Sequence, residues 1–165
     1  MRIEEATYET THQVALAMRE PDYLEFSAVS AATSRVALAE DLANRLSGAG
    51  LVGYSGDDPV CVGVVVVSRP NVVSLGFFAT DRFPEIGLGI TRYIKNTLFP
   101  KLRDAGIHRI EAVSMSTHTE AHRWLEALGL SQETGEMRGF GKNGESFIQF
   151  AWSKYAGEVG GSSGL

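Results

Sequence analysis

Ala79-Thr80-Asp81-Arg82-Phe83-Pro84-Glu85-Ile86-Gly87-Leu88-Gly89-Ile90 is the stretch on which the fold turns. It follows a β-branched and aromatic run, Val72 to Ala79, and leads into Ile90, Tyr93, Ile94 and Leu98 at helical spacing. It is therefore a strand-to-helix loop. The first amides of a helix have no intrahelical acceptor, and Gly87 and Gly89 let another group approach the backbone closely. Free amides at the positive end of a helix dipole make an anion site. The bland alternative is that the glycines serve helix–strand packing alone.

Upstream, Val60 to Ser68 is valine-rich and reads as a central strand, Ser55 to Pro59 as a turn, and Leu51 to Tyr54 as a further strand. Arg2 to Glu9 reads as an opening strand. Thr10 and Gln13 have capping-box spacing before Val14, Leu16 and Met18, and Pro21 ends or kinks that helix. Ser34 caps a second helix through Val36, Leu38, Leu42 and Leu46, stopped by Gly48.

Downstream, Pro100 disturbs the helix that follows the loop and Gly106 ends it. Arg109 to Met115 reads as a strand. Thr117 and Glu120 form a second capping box before Ala121, Trp124, Leu125 and Leu128, closed by Gly129. A hairpin then joins a strand near Gln132 to Phe140 with Ser146 to Trp152 through Lys142-Asn143-Gly144. The order β-α-α-β-β-β-α-β-α-β-β predicts an α/β fold with a mixed sheet and helices on its faces.

The chain has 165 residues, which suits one domain, assigned here to residues 1–155. Residues 156–165 read as a disordered Gly/Ser-rich tail. A net charge of −5 argues against nucleic acid or an anionic membrane as partner. The single cysteine, Cys61, excludes a disulfide or Cys-based metal framework within the chain and reads as a small buried hydrophobe. Val60 to Val67 is too short to span a bilayer, and no apolar signal core follows Met1, so a cytoplasmic location is expected.

Over residues 2–154 this order resembles the GNAT superfamily of acyl-CoA-dependent N-acetyltransferases. Ala79 to Ile90 occupies the place of the family's Q/R-x-x-G-x-G/A loop, which wraps the pyrophosphate of coenzyme A. The resemblance implies acetyl-CoA as co-substrate, held by Glu85, Ile86, Gly87, Leu88, Gly89 and Ile90. It also implies a splay between the strands ending near Ala79 and starting near Arg109, with an amide at Phe78 or Ala79 polarising the thioester. Pro84 departs from the pattern, standing at the Q/R position. His118 to Leu130 is similar to the family's N-x-x-A-x-x-x-Y-x-x-x-G-F stretch, with His118 in place of the pantetheine-binding Asn and Leu125 in place of the proton-donating Tyr. A looser likeness, from His122 through Met137 to Phe140 and on to Trp152, is to GNAT-like proteins of short-tailed bacteriophages.

Acetyl transfer to an amine needs a proton acceptor, a polarised carbonyl and close positioning. The candidates are His118, whose imidazole titrates near neutrality, then Ser114, Ser116 and Glu85. Their bland readings are a solvated helix-start His, plain strand-end serines and a solvated Glu. His118, His122 and Glu126 share a helical face, but a solvated face explains them and no metal is assigned. Trp124, Phe147, Phe150 and Trp152 read as core. The acceptor side falls to Asp22–Thr33, with Tyr23, Glu25 and Phe26. Two functions follow: transfer of acetyl to an amine of a small molecule or protein, or, on the phage likeness, binding by a phage-encoded scaffold that has lost catalysis, in contact with a host protein or virion component. Oligomeric state is left open.

Overall fold

The computed structural model describes residues 1–157. The 156–165 assignment falls almost wholly outside them. Seven strands form one sheet in the order β1-β2-β3-β4-β5-β7-β6. They are β1 (Arg2–Glu5), β2 (Leu51–Ser55), β3 (Asp58–Arg69), β4 (Val72–Ala79), β5 (Arg109–Met115), β6 (Ser131–Gln132) and β7 (Phe147–Ser153). Neighbours are antiparallel except β4 and β5. The helices are α1 (Tyr8–Leu16), α2 (Glu20–Ala28), α3 (Arg35–Leu46), α4 (Gly87–Tyr93), α5 (Phe99–Asp104) and α6 (Thr119–Ala127). The mixed α/β fold expected from the sequence is the one observed.

Alternation along the strands sends side chains to the two faces of the sheet. On one face Val52, Val62 and Phe78 pack with Val14 of α1 and with Leu38 and Leu42 of α3. On the other, Val73, Ile110, Ala112 and Phe150 pack with Phe99 of α5, Leu125 of α6 and Leu128 just beyond it. Burying a large apolar side chain contributes about 1.5–3 kcal/mol, so these two layers dominate the stability of the fold.

Several local readings change. The first cap is Thr7, not Thr10: the Thr7 hydroxyl accepts the Thr10 amide at 3.1 Å, and Thr10 Oγ1 accepts the Thr7 amide in return. Pro21 opens a helix rather than merely ending one, because a first-turn residue needs no amide. That adds α2 to the expected order. Helix α6 starts after His118 with no side-chain cap, so Thr117 and Glu120 form no capping box. The opening strand stops at Glu5. Between α4 and α5 the backbone widens into a π-helical segment, Ile94–Leu98, closed by the Phe99 amide donating to the Ile94 carbonyl. Pro100 cannot donate to Asn96, which fits this widening.

The last hairpin is shorter than its pattern. Only Ser131 and Gln132 pair regularly with β7, followed by a lone bridge from Met137 to Phe147. The segment between is held elsewhere: the Lys142 amide donates to the Ala28 carbonyl at 2.7 Å, and its ammonium donates to the Ser30 and Ala32 carbonyls. Gly144 does turn with a positive φ of 92°.

Candidate active site

Strands β4 and β5 pair only at Val72↔Arg109, Val73↔Ile110 and Ser74↔Glu111. Beyond Ser74 they part. The Thr80 amide donates to the Val60 carbonyl at 2.8 Å, which fixes the alternation of β4: Phe78 faces β3, while Leu75, Phe77 and Ala79 direct their amides toward β5. In the parted region Leu75 and Phe77 therefore have no strand opposite them. A cavity of about 590 Å³ fills the gap, lined by Gly76 and Phe77 of β4, Ala112 and Ser114 of β5, and Trp124 and Leu125 of α6. Arg19, Asp22 and Glu25 line it near α2, and Ile94 and Leu98 line it near the π segment.

The amides named from the sequence for carbonyl polarisation are both engaged. Phe78 faces the β3 ladder, and the Ala79 amide donates to Asp22 Oδ2 at 2.8 Å. The β4 amides that face the parted region without a strand opposite are those of Leu75 and Phe77. No sequence signal separates these from Phe78 and Ala79, because the bounding contact comes from Asp22, far away in the chain.

Asp22 is almost wholly buried, and Arg19 grips its carboxylate with Nε at 3.1 Å and Nη2 at 2.9 Å. Burial pushes the Asp22 carboxyl up, against the lowering effect of Arg19 and the Ala79 amide. Beside it lies His118, also buried, with Nε2 3.6 Å from Asp22 Oδ1 and Nδ1 3.3 Å from Glu25 Oε2. The other oxygen of Glu25 accepts the Met115 amide at the end of β5. Burial alone would lower the His118 imidazole, but Glu25 and then Asp22 outweigh it, so its pKa lies above the ordinary value. A basic imidazole backed by a carboxylate can accept a proton.

Ser114 Oγ is buried, borders the cavity and has no hydrogen-bond partner among the described residues. Ser116 Oγ is likewise buried and unpartnered but does not border the cavity. Glu85 is drawn elsewhere. It accepts from Arg82 Nε at 2.9 Å and Ser55 Oγ at 2.8 Å, which hold its carboxyl down to about 2, and it does not line the cavity. The structure thus joins His118 and Ser114 to one cavity and leaves Ser116 and Glu85 outside it. His122 Nε2 meets the Met115 carbonyl at 3.0 Å, so it is not directed at the same partners as His118.

In the loop, the Glu85 and Ile86 amides donate to Arg82 and Phe83, and the Ile90 amide to Ile86. The Gly87, Leu88 and Gly89 amides have no acceptor among the described residues. Three of the six predicted loop positions therefore present free donors. The two glycines are contacted from within the chain: a Cβ on Gly87 would lie 3.3 Å from the Phe83 ring, and one on Gly89 2.8 Å from Met1 Sδ. Phe83 also meets the Trp124 ring at 5.7 Å, and Trp124 Nε1 donates to Thr91 Oγ1 at 2.9 Å, so loop, α4 and α6 form one wall.

No family profile and no curated protein matches the chain. Solved structures do. A GNAT-family acetyltransferase from Bacillus anthracis superposes with a TM-score of 0.68 at 15% identity, over 92% of this chain and 93% of its own. The ribosomal-protein-S18-alanine N-acetyltransferase of Escherichia coli gives 0.65 at 15% identity, over 95% and 96%. A Salmonella typhimurium protein assigned as an acetyltransferase, solved with its cofactor acetyl-CoA, gives 0.63 at 18% identity, over 93% and 94%. The fold is that of the GNAT acetyltransferases, as the sequence resemblance implied. Among the described residues no helix is long and apolar enough to cross a membrane.

Proposed function

We propose that this protein is an N-acetyltransferase that moves an acetyl group from acetyl-CoA to an amine of a small molecule or protein by direct attack. The observation that carries this reading is the parting of β4 and β5 beyond Ser74, with the Leu75 and Phe77 amides facing the gap. An extended pantetheine arm would complete the hydrogen bonds that β5 leaves unmade, its pyrophosphate lying on the Gly87, Leu88 and Gly89 amides. The neighbour solved with acetyl-CoA supports the choice of donor.

The chain's own groups supply the rest. The Phe77 amide, facing the gap with no strand opposite, would polarise the thioester carbonyl. An amine arriving from the α2 side meets the Glu25–His118 pair, which takes its proton. The N–C bond forms, the C–S bond breaks, and the proton taken from the amine passes from His118 to the departing thiolate; Ser114, an unpartnered hydroxyl on the cavity wall, can donate a hydrogen bond to that sulfur. Leu125, at the position of the family's tyrosine, cannot do this. The Glu85 carboxylate, tied to Arg82, has no part in it.

Titration calorimetry with acetyl-CoA, followed by thiol release with a panel of amines, tests the proposal. Saturable binding with amine-dependent release is expected. Absence of binding at millimolar coenzyme would leave a scaffold that works by contact with another protein. An alanine-bearing ribosomal protein belongs on the acceptor panel, because one neighbour is a ribosomal-protein-S18-alanine N-acetyltransferase.

A further inference from the structure

We infer that, besides acetyl-CoA, the site accepts coenzyme A thioesters with a longer acyl chain, whose tail enters an apolar chamber at the closed end of the β4–β5 gap. This rests on the coenzyme-binding reading above. The cavity has two ends of opposite chemistry. Arg19, Asp22, Glu25 and His118 border it near α2. At the other end the lining is Val65, Leu75, Ile94, Leu98, Leu102 and Leu128, without a charged group among them.

Topology says which part of the substrate goes where. An arm leading inward from the Gly87 to Gly89 amides runs beside β4 from Ala79 toward Ser74, so the thioester comes last, near Phe77 and Leu75. The strands close at Ser74↔Glu111, just beyond. Val65 is the register partner of Leu75, Leu102 lies in α5, the helix that precedes β5, and Leu128 caps the helix that runs back toward the same point. These side chains thus surround the direct continuation of the acyl group. The amine cannot come from there, because the groups able to take its proton are at the α2 end. The π-helical segment adds to the space: it contributes Ile94 and Leu98 to the lining at the place where the backbone is widened. A two-carbon acyl group would leave that end of the cavity without a partner, and apolar volume with no occupant costs packing energy.

The test is a series of thioesters of coenzyme A with acetyl, butyryl, hexanoyl, octanoyl and decanoyl chains, titrated calorimetrically into the intact chain. Each methylene buried should tighten binding by about fourfold until the chamber is full, after which affinity levels off. Val65→Phe and Leu102→Phe should each flatten the series while leaving acetyl-CoA affinity within about twofold, with melting temperature showing that both variants fold. If either variant fails to fold, the plateau in the unmodified chain still decides. Equal affinity across the series with acetyl-CoA bound would overturn the chain-length inference and leave the coenzyme reading standing. A rise that both folded variants retain would mean the tail lies elsewhere, which also overturns it. No binding by any member would overturn both readings together.

Discussion

Asp22 and Ala79, 57 residues apart, are joined by a 2.8 Å hydrogen bond from the Ala79 amide to the buried Asp22 carboxylate. The Arg19 amide donates to the Ala79 carbonyl at the same distance, so the start of α2 closes the end of β4 on the side where it has left β5. This contact bounds the gap. Asp22→Ala removes the acceptor for Ala79 and the partner of the Arg19 guanidinium at once. Unfolding free energy should fall by about 2–4 kcal/mol, read by urea denaturation. Asp22→Asn, which can still accept from Ala79, should lose less. A change under about 0.5 kcal/mol for the alanine variant would mean that the contact does not hold the strand end.

That contact also shows where the sequence stops being legible. Strands β2 to β5, the loop from Ala79 to Ile90 and the face of α6 follow local patterns, because period and turn chemistry act over a few residues. The site depends on pairings across the whole chain. Pro21 looks like a helix terminator from its own neighbourhood, and only packing against β4 reveals a helix that brings Asp22 and Glu25 to His118. Glu85 fits a loop-borne base by position, yet Arg82 three residues earlier neutralises it. The strand expected from Gln132 to Phe140 was overruled by Lys142, which ties the segment to the end of α2. His118 draws attention by its place in the motif, but the carboxylates that raise its basicity lie 93 residues away for Glu25 and further still for Asp22.

The His118 imidazole carries a pH prediction. Its pKa in the folded chain lies above the ordinary value of about 6.5, which the unfolded chain has. The folded state therefore binds the proton more readily. The stabilisation is fully present below about pH 6.5 and is lost as pH rises through the folded value. The stability advantage of the unmodified chain over His118→Gln should shrink from pH 6 toward pH 9. Transfer should run the other way, gaining rate as the same group gives up its proton. Glu25→Gln should lower the imidazole pKa, followed by proton NMR of the ring; a value unmoved by this change would remove Glu25 as its partner.

Gly89→Glu separates binding from folding. The new Cβ would meet Met1 Sδ, the far end of a flexible and largely exposed side chain, so the fold can accommodate it by moving Met1. A carboxylate there would stand among the Gly87, Leu88 and Gly89 amides and repel a phosphate. Melting temperature should change little, while coenzyme affinity should fall by a hundredfold or so, an order-of-magnitude figure for a repelled, sterically blocked anion. Binding undiminished in this variant would put the phosphates somewhere other than the start of α4.

Cys61 bears on how transfer can be measured. It lies on β3 with its thiol buried against the cavity, and burial pushes its pKa up to about 12. The reactive species is the thiolate, which is then nearly absent at pH 8. A chromogenic disulfide should leave Cys61 unlabelled in the native chain for hours and label it once denaturant unfolds the protein. Rapid native labelling would show that the cavity opens to solvent far more widely than its lining indicates.

Pro84 offers the opposite test, a gain. It sits in the first turn of a short helical segment, Phe83–Glu85, where its missing amide costs nothing, and it lines the cavity. The nearest cation in the loop, Arg82, is already paired with Glu85 and Asp58. The loop thus offers backbone donors to a diphosphate without a free positive charge of its own. Pro84→Arg supplies one beside three free amides, in a place that requires no special backbone conformation. Acetyl-CoA binding should tighten by about three- to tenfold at low salt, and the gain should fade as ionic strength rises. A substitution that left affinity unchanged at every salt concentration would mean that no phosphate lies near residue 84.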